Sequence, residues 1–519
     1  MNFKYQYFLR RNRQFITFSL PLLLTFLPFK VLSHYLNDRN ISTNNVQIAS
    51  RNIADQQQYE ILLKADELYK KNDFEGARKF YKTVKPPIPE PELVNEPIYE
   101  TDVDKLSGSI KVYWRSALDG FEKNNYAPIF ISLRILTREY PEFVPAYFKL
   151  VEACRIYPEA CASKHYAKGD DPRTIIDILE QATTLYPYDP KLLKAKIDAL
   201  DEAKNYLGAS IAARQFSIMY PDEKKASEFK ALADEYLKKY KKQVKIQVLG
   251  TSILGVMTNV GIGIFTENPR YGVSALEALQ FLFQGEAEFG KKAAAAFVSD
   301  YKENNKLRED QILQNYVEGI GGQFVPFISR DEFEFEFYVV EDSSLNAFVL
   351  PGGKIFINTG AILSTNSEAE LAGIIAHEVA HAALSHGYLK VSKSLLLKNL
   401  TQVVPFLDMV SSIINSQYSR ELETQADILG TRLLSQTDYA ADGLRNLMAT
   451  LSTKGGTKKT TLESTHPAPS ERVQYLEKLI VDGGYNIYSY EGVKSHRDIQ
   501  NYINGVNVEK EPELDQDDL

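Results

Sequence analysis

Two histidines four residues apart, with a glutamate between them, stand in the stretch GIIAHEVAHAALSHG at residues 373–387. Residues four apart share one face of a helix, so His377 and His381 point the same way. Two neutral imidazoles on one buried face can bind a zinc ion, and Glu378 lies beside them as the general base for a water at the metal. The alternative is a core helix with hydrogen-bonded histidines. The chain has only seven histidines in 519 residues, so this spacing around a glutamate is rare by chance and favours a zinc site.

The helix that carries these residues has clear boundaries in the sequence. Ser367 and Glu370 form a capping-box pair, and Gly387 is a suitable C-cap residue, which predicts a helix at 368–386. Its apolar residues lie on almost every side of the helix, so we expect the helix to be buried. His386 is five residues after His381, about 140° round the helix. We therefore predict that His386 points away from the metal, as a polar residue at the helix end.

Zinc hydrolase sites usually have three protein ligands and an open position for water. A second helical stretch, YSRELETQADILGTRLL, has Glu423 and Asp427 four residues apart and therefore on one face. Glu423 is predicted to be the third ligand, and Asp427 to accept the other ring N–H of a zinc-binding histidine. The alternative for Glu423 is an exposed acidic residue.

Taken in order, these motifs resemble a known family. HEVAH is followed by SRELETQAD and then by THPAPSERV, and NAFVLPGGKIFINTGAI precedes them. Over about 311–480 the chain resembles the HtpX-like and BepA-like zinc metallopeptidases, relatives of the CAAX prenyl endopeptidases. The resemblance implies a gluzincin fold that binds one Zn2+ per chain. Its site residues would be His377, His381 and Glu423 as ligands, Glu378 as base, Asp427 behind the ligands and His466 near the metal.

Three features depart from that family. Its membrane enzymes have several long spanning helices, whereas this chain has one clear apolar run. The BepA-like members carry their tetratricopeptide part after the peptidase rather than before it. Gln425 stands where the family often has Glu, which we expect to matter little because this position is not a ligand. A shared substrate or partner therefore does not follow from the resemblance.

His466 lies on a loop that Pro467 and Pro469 stiffen, and the sequence leaves two active roles open for it. As a hydrogen-bond donor it would stabilise the oxyanion opposite zinc. As a neutral imidazole it would occupy the open position of zinc and keep the enzyme latent until the loop moves, which is the role that we favour. The remaining alternative is a surface histidine before a turn.

Residues 1–35 have the pattern of a secretory signal or a membrane anchor. Four basic residues between Lys4 and Arg13 precede the uncharged run FITFSLPLLLTFLPF at 15–29, and the basic side of such a segment stays in the cytoplasm. We therefore expect an exported protein, periplasmic or extracytoplasmic, that is associated with the membrane through this segment. Cleavage and retention of the segment are both compatible with the sequence.

The expected fold class is mainly α with a small β-sheet, in which tetratricopeptide-like helical repeats precede an α+β gluzincin domain. Tyr-Pro dipeptides are predicted to end helices at four positions, and the 34-residue step between the last two is the tetratricopeptide period. These positions are Tyr140, Tyr157, Tyr186 and Tyr220. Such repeats present a concave surface to a protein partner, and the alternative is a helical spacer without a ligand. The predicted domains are a signal or anchor at 1–35, helical repeats at 36–240, an apolar Gly-rich helix with connecting helices at 241–310, the peptidase at 311–490 and an acidic tail at 491–519.

Two stretches around the start of the peptidase domain carry further predictions. The uncharged stretch Val248–Phe265 is predicted to pack as a helix on the enzyme domain, with a membrane-inserted segment as the alternative. A small sheet follows, since DEFEFEFYVVED alternates with period two and NAFVLPGGKIFINTGAIL reads as strand, turn and strand. We expect the strand at Lys354–Asn358 to be an exposed edge that pairs with the backbone of an extended substrate.

Composition argues against a general nucleic-acid surface, because the net charge is −8 and no basic stripe supplies the cations that phosphates need. The two cysteines, Cys154 and Cys161, are too few for a zinc ribbon. They are compatible with a disulfide bond in an oxidising compartment or with two small buried residues.

Together these features predict a zinc metalloendopeptidase that cleaves unfolded or misassembled polypeptides in the cell envelope, where the quality-control role is implied by the resemblance alone. The alternative is a repeat-domain chaperone or scaffold with a latent or structural zinc site. The intact Glu378 argues against it, because a structural zinc site needs no base. A prenyl-peptide processing enzyme is disfavoured because no multi-helix membrane chamber is visible in the sequence.

Overall fold

The computed structural model describes residues 43–89, 96–168, 171–255, 284–397, 417–454 and 469–506, with a few further positions at 273–274, 403–404, 407 and 410–411. The described chain is mainly helical with one small four-stranded sheet, which confirms the predicted fold class. It divides into two compact units, one up to Pro86 and one from Pro87 onward.

The first unit is a helical hairpin, α1 (Thr43–Lys70) and α2 (Phe74–Val84). Asp73 accepts a hydrogen bond from Gly76 N at 2.9 Å and so caps the second helix. In the interior, Tyr81 donates to Asp66 at 2.6 Å. The hairpin therefore has an ordinary N-cap and a buried polar contact between its two helices.

The second unit begins with a run of eight described helices, four of which end immediately before a Tyr-Pro dipeptide. These helices are α3 (Gly108–Glu122), α4 (Tyr126–Glu139), α5 (Pro145–Ile156), α6 (Pro158–Ala162), α7 (Ile175–Leu185), α8 (Pro190–Glu202), α9 (Tyr206–Met219) and α10 (Ala226–Gly255). The tyrosine of each dipeptide is a C-cap residue, as predicted, because a proline disfavours helical backbone in the residue before it. Cys154 of α5 and Cys161 of α6 form a disulfide bond.

The rest of the second unit, which includes the peptidase domain, contains a four-stranded sheet, a two-stranded sheet and nine further helices in its described part. The strands are β1 (Val273–Ser274), β2 (Leu307–Arg308), β3 (Glu336–Val340), β4 (Ala347–Leu350), β5 (Lys354–Asn358) and β6 (Val403–Val404), of which β1 and β6 form the two-stranded sheet. The helices are α11 (Glu286–Glu303), α12 (Gln311–Gly321), α13 (Thr359–Ser364), α14 (Glu368–Ala383), α15 (His386–Leu397), α16 (Arg420–Ser435), α17 (Gly443–Lys454), α18 (Pro469–Asp482) and α19 (Val493–Ile503), with a short 3-10 turn at Val325–Phe327.

The four-stranded sheet has the order β2-β3-β5-β4. β4 and β5 form the predicted hairpin, and its turn uses Gly352 and Gly353 at positive φ angles of 76° and 84°. The prediction that Lys354–Asn358 is an exposed edge is wrong, because β5 pairs with β3 on one side and β4 on the other and is buried throughout. Among the described strands of this sheet, β4 is the outer one beside α14.

Helix α14 is the centre of the peptidase core, and every one of its residues is buried. Ser367 accepts a hydrogen bond from Glu370 N at 3.2 Å, so the predicted N-cap is confirmed. The predicted end is wrong: the helix stops at Ala383, the chain turns at Ser385 with a φ of 59°, and α15 starts at His386. Gly387 lies within α15 and is not a C-cap residue.

Several sequence predictions fall on residues outside the described ranges. They concern the signal or anchor at 1–35, the part of Val248–Phe265 beyond Gly255, and the loop with His466. Of the stretch assigned to an acidic tail, residues 493–503 form α19, and residues from 507 lie outside the described part. None of the described helices has the length and apolar character needed to cross a membrane.

Candidate metal centre

Close packing of two helices brings the candidate ligands together. His377 and His381 lie on the buried helix α14, with 3% and 0% of their surfaces exposed. Helix α16 approaches it at Gly430, where an added Cβ would lie 3.2 Å from the backbone of His377. A larger residue there would push the helices apart. The contact leaves Glu423, on the same helix, facing the two imidazoles.

The three predicted ligands converge on one point. His377 Nε2 lies 3.0 Å from His381 Nε2, and Glu423 oxygens lie 3.5 Å from the first ring and 3.7 Å from the second. Ligand atoms of a tetrahedral zinc site are about 3.3 Å apart, given Zn–N bonds of about 2.0–2.1 Å. Within the described residues, these three side chains form the group that can hold a metal ion, and they fit a single zinc.

Asp427 lies behind His377, as predicted. Its Oδ1 is 3.1 Å from His377 Nδ1, so this nitrogen donates and Nε2 is left for the metal. Burial alone would lower the pKa of His377, but hydrogen bonds to Asp427 and Glu423 raise it to about 9. The carboxylates therefore favour positive charge at this place, which a bound dication also supplies.

Arg472 of α18 holds Asp427 from the other side. Its Nε donates to Asp427 Oδ2 at 2.9 Å and its Nη2 to Oδ1 at 2.5 Å. A further contact joins Nη1 to Glu423 at 3.4 Å. Burial works against the ionised form of Asp427, yet Arg472 and His377 keep its pKa below the ordinary value. Arg472 thus orients one ligand directly and another through Asp427.

His386 lies behind His381: it is not one of the grouped ligands, as predicted, but it contacts one of them, which the sequence analysis did not predict. Because the chain turns at Ser385, the fully buried ring comes back toward the site, and its Nδ1 lies 2.8 Å from His381 Nδ1. Its Nε2 lies 3.0 Å from Gln425 Oε1. Burial lowers the pKa of His386 to about 3, so the ring is neutral. Gln425 is not one of the grouped ligands, and its amide oxygen accepts a hydrogen bond from His386 Nε2.

An aromatic side chain covers the other side of His381. The ring of Tyr418 stacks on it with centroids 4.2 Å apart and planes inclined by 24°. Lys390 Nζ in turn lies 3.7 Å from the centre of the Tyr418 ring, and burial lowers the pKa of this amine to about 8. The stack limits the orientations that His381 can adopt.

The sequence analysis identified the three candidate ligands and Asp427, but it did not predict the contacts that Arg472, His386, Gln425 and Tyr418 make around them. Arg472 lies in THPAPSERV and Tyr418 in YSRELETQAD, so their place in the same motifs as the site residues could have indicated that they lie near the metal site. His386 was misplaced because the helix was predicted to continue through it. His466 lies outside the described residues.

Two histidines on one helix, a glutamate from a second helix and a glutamate beside the first histidine are the side chains of a zinc metallopeptidase of the HExxH type. Comparison with known families agrees: residues 311–480 match the sequence model of peptidase family M48. The ligands, Glu378, Asp427 and Arg472 all lie within this range, which is therefore a peptidase M48 domain.

Three curated proteins illustrate the similarity. The mitochondrial metalloendopeptidase OMA1 of Schizosaccharomyces pombe is 27% identical over 34% of this chain and 58% of its own length. Human mitochondrial metalloendopeptidase OMA1 is 29% identical over 45% of this chain and 49% of its own. A putative beta-barrel assembly-enhancing protease of Vibrio cholerae is 24% identical over 34% and 41%. The chain thus spans about half the length of these relatives.

Proposed function

We propose that this chain is a zinc-dependent endopeptidase that hydrolyses peptide bonds of unfolded or misassembled polypeptides in the cell envelope. The observation that carries the proposal is the convergence of His377, His381 and Glu423 in a buried site, with Glu378 on the same helix turn as the histidines. The peptidase M48 domain and the peptidase names of its relatives support the reaction class.

The chain's own residues orient the metal ligands and transfer the proton. Zinc, when bound, polarises the scissile carbonyl and increases the acidity of water. Glu378 accepts the proton of the attacking water and passes it to the nitrogen of the leaving amine. Asp427 and His386 favour the tautomers of the two imidazoles in which Nε2 presents its lone pair to a metal.

The proposed place for the substrate backbone is the outer edge of β4 rather than β5. β4 is antiparallel to β5 and packs beside α14, so an extended peptide added to it would lie near the helix that carries His377 and His381. Pairing along a strand requires an unfolded segment, because a folded substrate already uses those backbone groups. This geometry supports a preference for unfolded chains.

A protease assay on an unfolded protein, with and without a zinc chelator, tests the reaction. Cleavage that disappears with the chelator and returns with added Zn2+ would support an endopeptidase. Binding of unfolded protein without cleavage under both conditions would favour the alternative, a chaperone or scaffold with a latent or structural zinc site.

The proposed compartment rests on features of this chain, because its relatives include both mitochondrial metalloendopeptidases and a bacterial putative beta-barrel assembly-enhancing protease. The basic and then apolar N-terminus and the Cys154–Cys161 disulfide both support export to an oxidising compartment. A reporter fused after residue 35 should be active only outside the cytoplasm. Full activity of the reporter inside the cytoplasm would contradict export.

Two further parts of the proposal concern regulation. The helical repeats would receive a protein partner on their concave surface. His466 would occupy the open metal position at rest, so His466→Ala should raise basal cleavage of an unfolded protein. A loss of cleavage would instead favour oxyanion stabilisation by His466.

A further inference from the structure

A buried carboxylate stands two residues before the ligand Glu423. Glu421 lies in the first turn of α16 with 3% of its surface exposed. Thr183 Oγ1 of α7 donates to one of its oxygens at 2.6 Å, and Lys196 Nζ of α8 pairs with the other. Both contacts come from the helical region that precedes the peptidase domain.

These contacts hold a helix end that has little local support. Within the described residues, the N-cap residue Ser419 makes no side-chain capping bond to α16. The far end of the helix has its own connection to α9, through Arg432 and the carbonyl of Met219. Helix α16 is thus held at both ends by helices from outside the peptidase domain, and the contact at Glu421 belongs to the turn that carries Glu423.

The chemistry of the contact explains why it restricts movement. Lys196 has 6% of its surface exposed and Thr183 has 3%, so the pair with Glu421 is screened little by solvent. Breaking one side of a buried ion pair leaves an uncompensated charge, which is strongly unfavourable. A shift of the first turn that exposed Glu421 to water would also carry Glu423 away from the imidazoles.

We propose that Lys196 and Thr183 are positioning residues of the metal centre, which hold Glu421 and thereby keep Glu423 at ligand distance from His377 and His381. The proposal rests on the zinc site of the proposed function. It makes the helical region a necessary part of the metal site rather than only a surface for partners.

The test measures zinc affinity of the full-length protein by competition with a chelator, using Zn2+ alone and no protease assay. Lys196→Met should lower the affinity by about tenfold or more, in line with other residues behind metal ligands. Thr183→Val should lower it less, because the ion pair remains. Lys194→Met is the matched control, since Lys194 lies on the same helix in an exposed pair with Asp198 and should leave the affinity unchanged.

A second control separates positioning from a general loss of stability. Leu136→Ala removes a fully buried side chain from the core of the helical region and should lower the melting temperature of the metal-free protein. Zinc affinity should stay at the parental value in Leu136→Ala and fall in Lys196→Met when both are assayed well below their melting temperatures. An equal fall in both variants, or parental affinity in Lys196→Met, would overturn the proposal.

Failure of the zinc assignment gives a different result. Glu423→Gln is assayed in parallel, and parental zinc affinity in this variant would show that the third ligand lies elsewhere. If Glu423→Gln weakens zinc binding but Lys196→Met does not, the positioning role is rejected and the assignment of Glu423 as third ligand stands.

Discussion

His386 Nδ1 lies 2.8 Å from His381 Nδ1, on the side of the ring away from the metal site. Since His386 Nε2 donates to Gln425 Oε1 at 3.0 Å, its Nδ1 is the acceptor, and the proton between the two rings belongs to His381. This hydrogen-bond relay, which runs from His381 through His386 to Gln425, therefore leaves His381 Nε2 unprotonated. Asp427 accepts from Nδ1 of His377 in the same way, so both Nε2 atoms, which lie 3.0 Å apart, can present lone pairs to a cation between them.

Replacement of His386 should weaken zinc binding without removing a ligand. His386→Phe keeps a planar ring in the buried site but offers no acceptor to His381. The orientation and tautomer of His381 are then no longer fixed. We expect the zinc affinity to fall by about ten- to a hundredfold, measured by chelator competition. His165→Phe, at an exposed position, is the control. Parental affinity in His386→Phe would show that the relay is not needed.

Glu378 should be needed for hydrolysis and not for metal binding. Glu378→Gln preserves the size of the side chain but removes the group that accepts a proton. Cleavage of an unfolded protein should fall by about a hundredfold or more, while elemental analysis finds unchanged zinc content. Undiminished turnover would refute the assignment of Glu378 as the base.

The three ligands should each be needed for zinc occupancy. Elemental analysis of the purified full-length protein should find about one zinc per chain. His381→Ala and Glu423→Ala should both lower that value, because each removes one of the atoms that converge on the site. If Glu423→Ala binds zinc and cleaves as well as the parent, the ligand set is wrong.

Buried His496, remote in sequence from the ligands, should make stability depend on pH. Its Nδ1 accepts from Tyr316 at 2.7 Å and its Nε2 donates to Thr365 O at 3.1 Å, so the folded protein holds the neutral ring. Burial lowers the pKa of His496 to about 4, whereas the unfolded chain has the ordinary value of about 6.5. Between these values the unfolded state binds more protons, so the free energy of unfolding should decrease as the pH falls.

The size of this effect follows from the shift in pKa. The loss attributable to His496 should reach about 3 kcal/mol between pH 6.5 and pH 4. Denaturant unfolding across this range measures it, and His496→Gln, which does not titrate, should show a smaller decrease. Equal pH dependence in the two proteins would mean that His496 does not contribute.

Features with local causes were predictable from the sequence. His377 and His381 share a face because the geometry of a helix repeats every few residues. The four Tyr-Pro dipeptides end helices because proline restricts the residue before it, and Pro351 with two glycines makes a turn between β4 and β5. The ligands and Asp427 were found because each helix presents residues four apart on one side.

Features that depend on distant parts of the chain appeared only in the tertiary structure. The strands that flank β5 depend on pairing across the whole sheet, so its central position could not be predicted from its own residues. The place of His386 depends on the reversal at Ser385, and Arg472 reaches Asp427 from a helix 45 residues away in sequence. The sequence by itself indicated which residues could hold a metal, because the spacing of His377 and His381, and of Glu423 and Asp427, is a property of single helices. The tertiary structure alone decided what holds them, because those contacts join α14 and α16 to residues from other helices and, through Lys196 and Thr183, to the helical region.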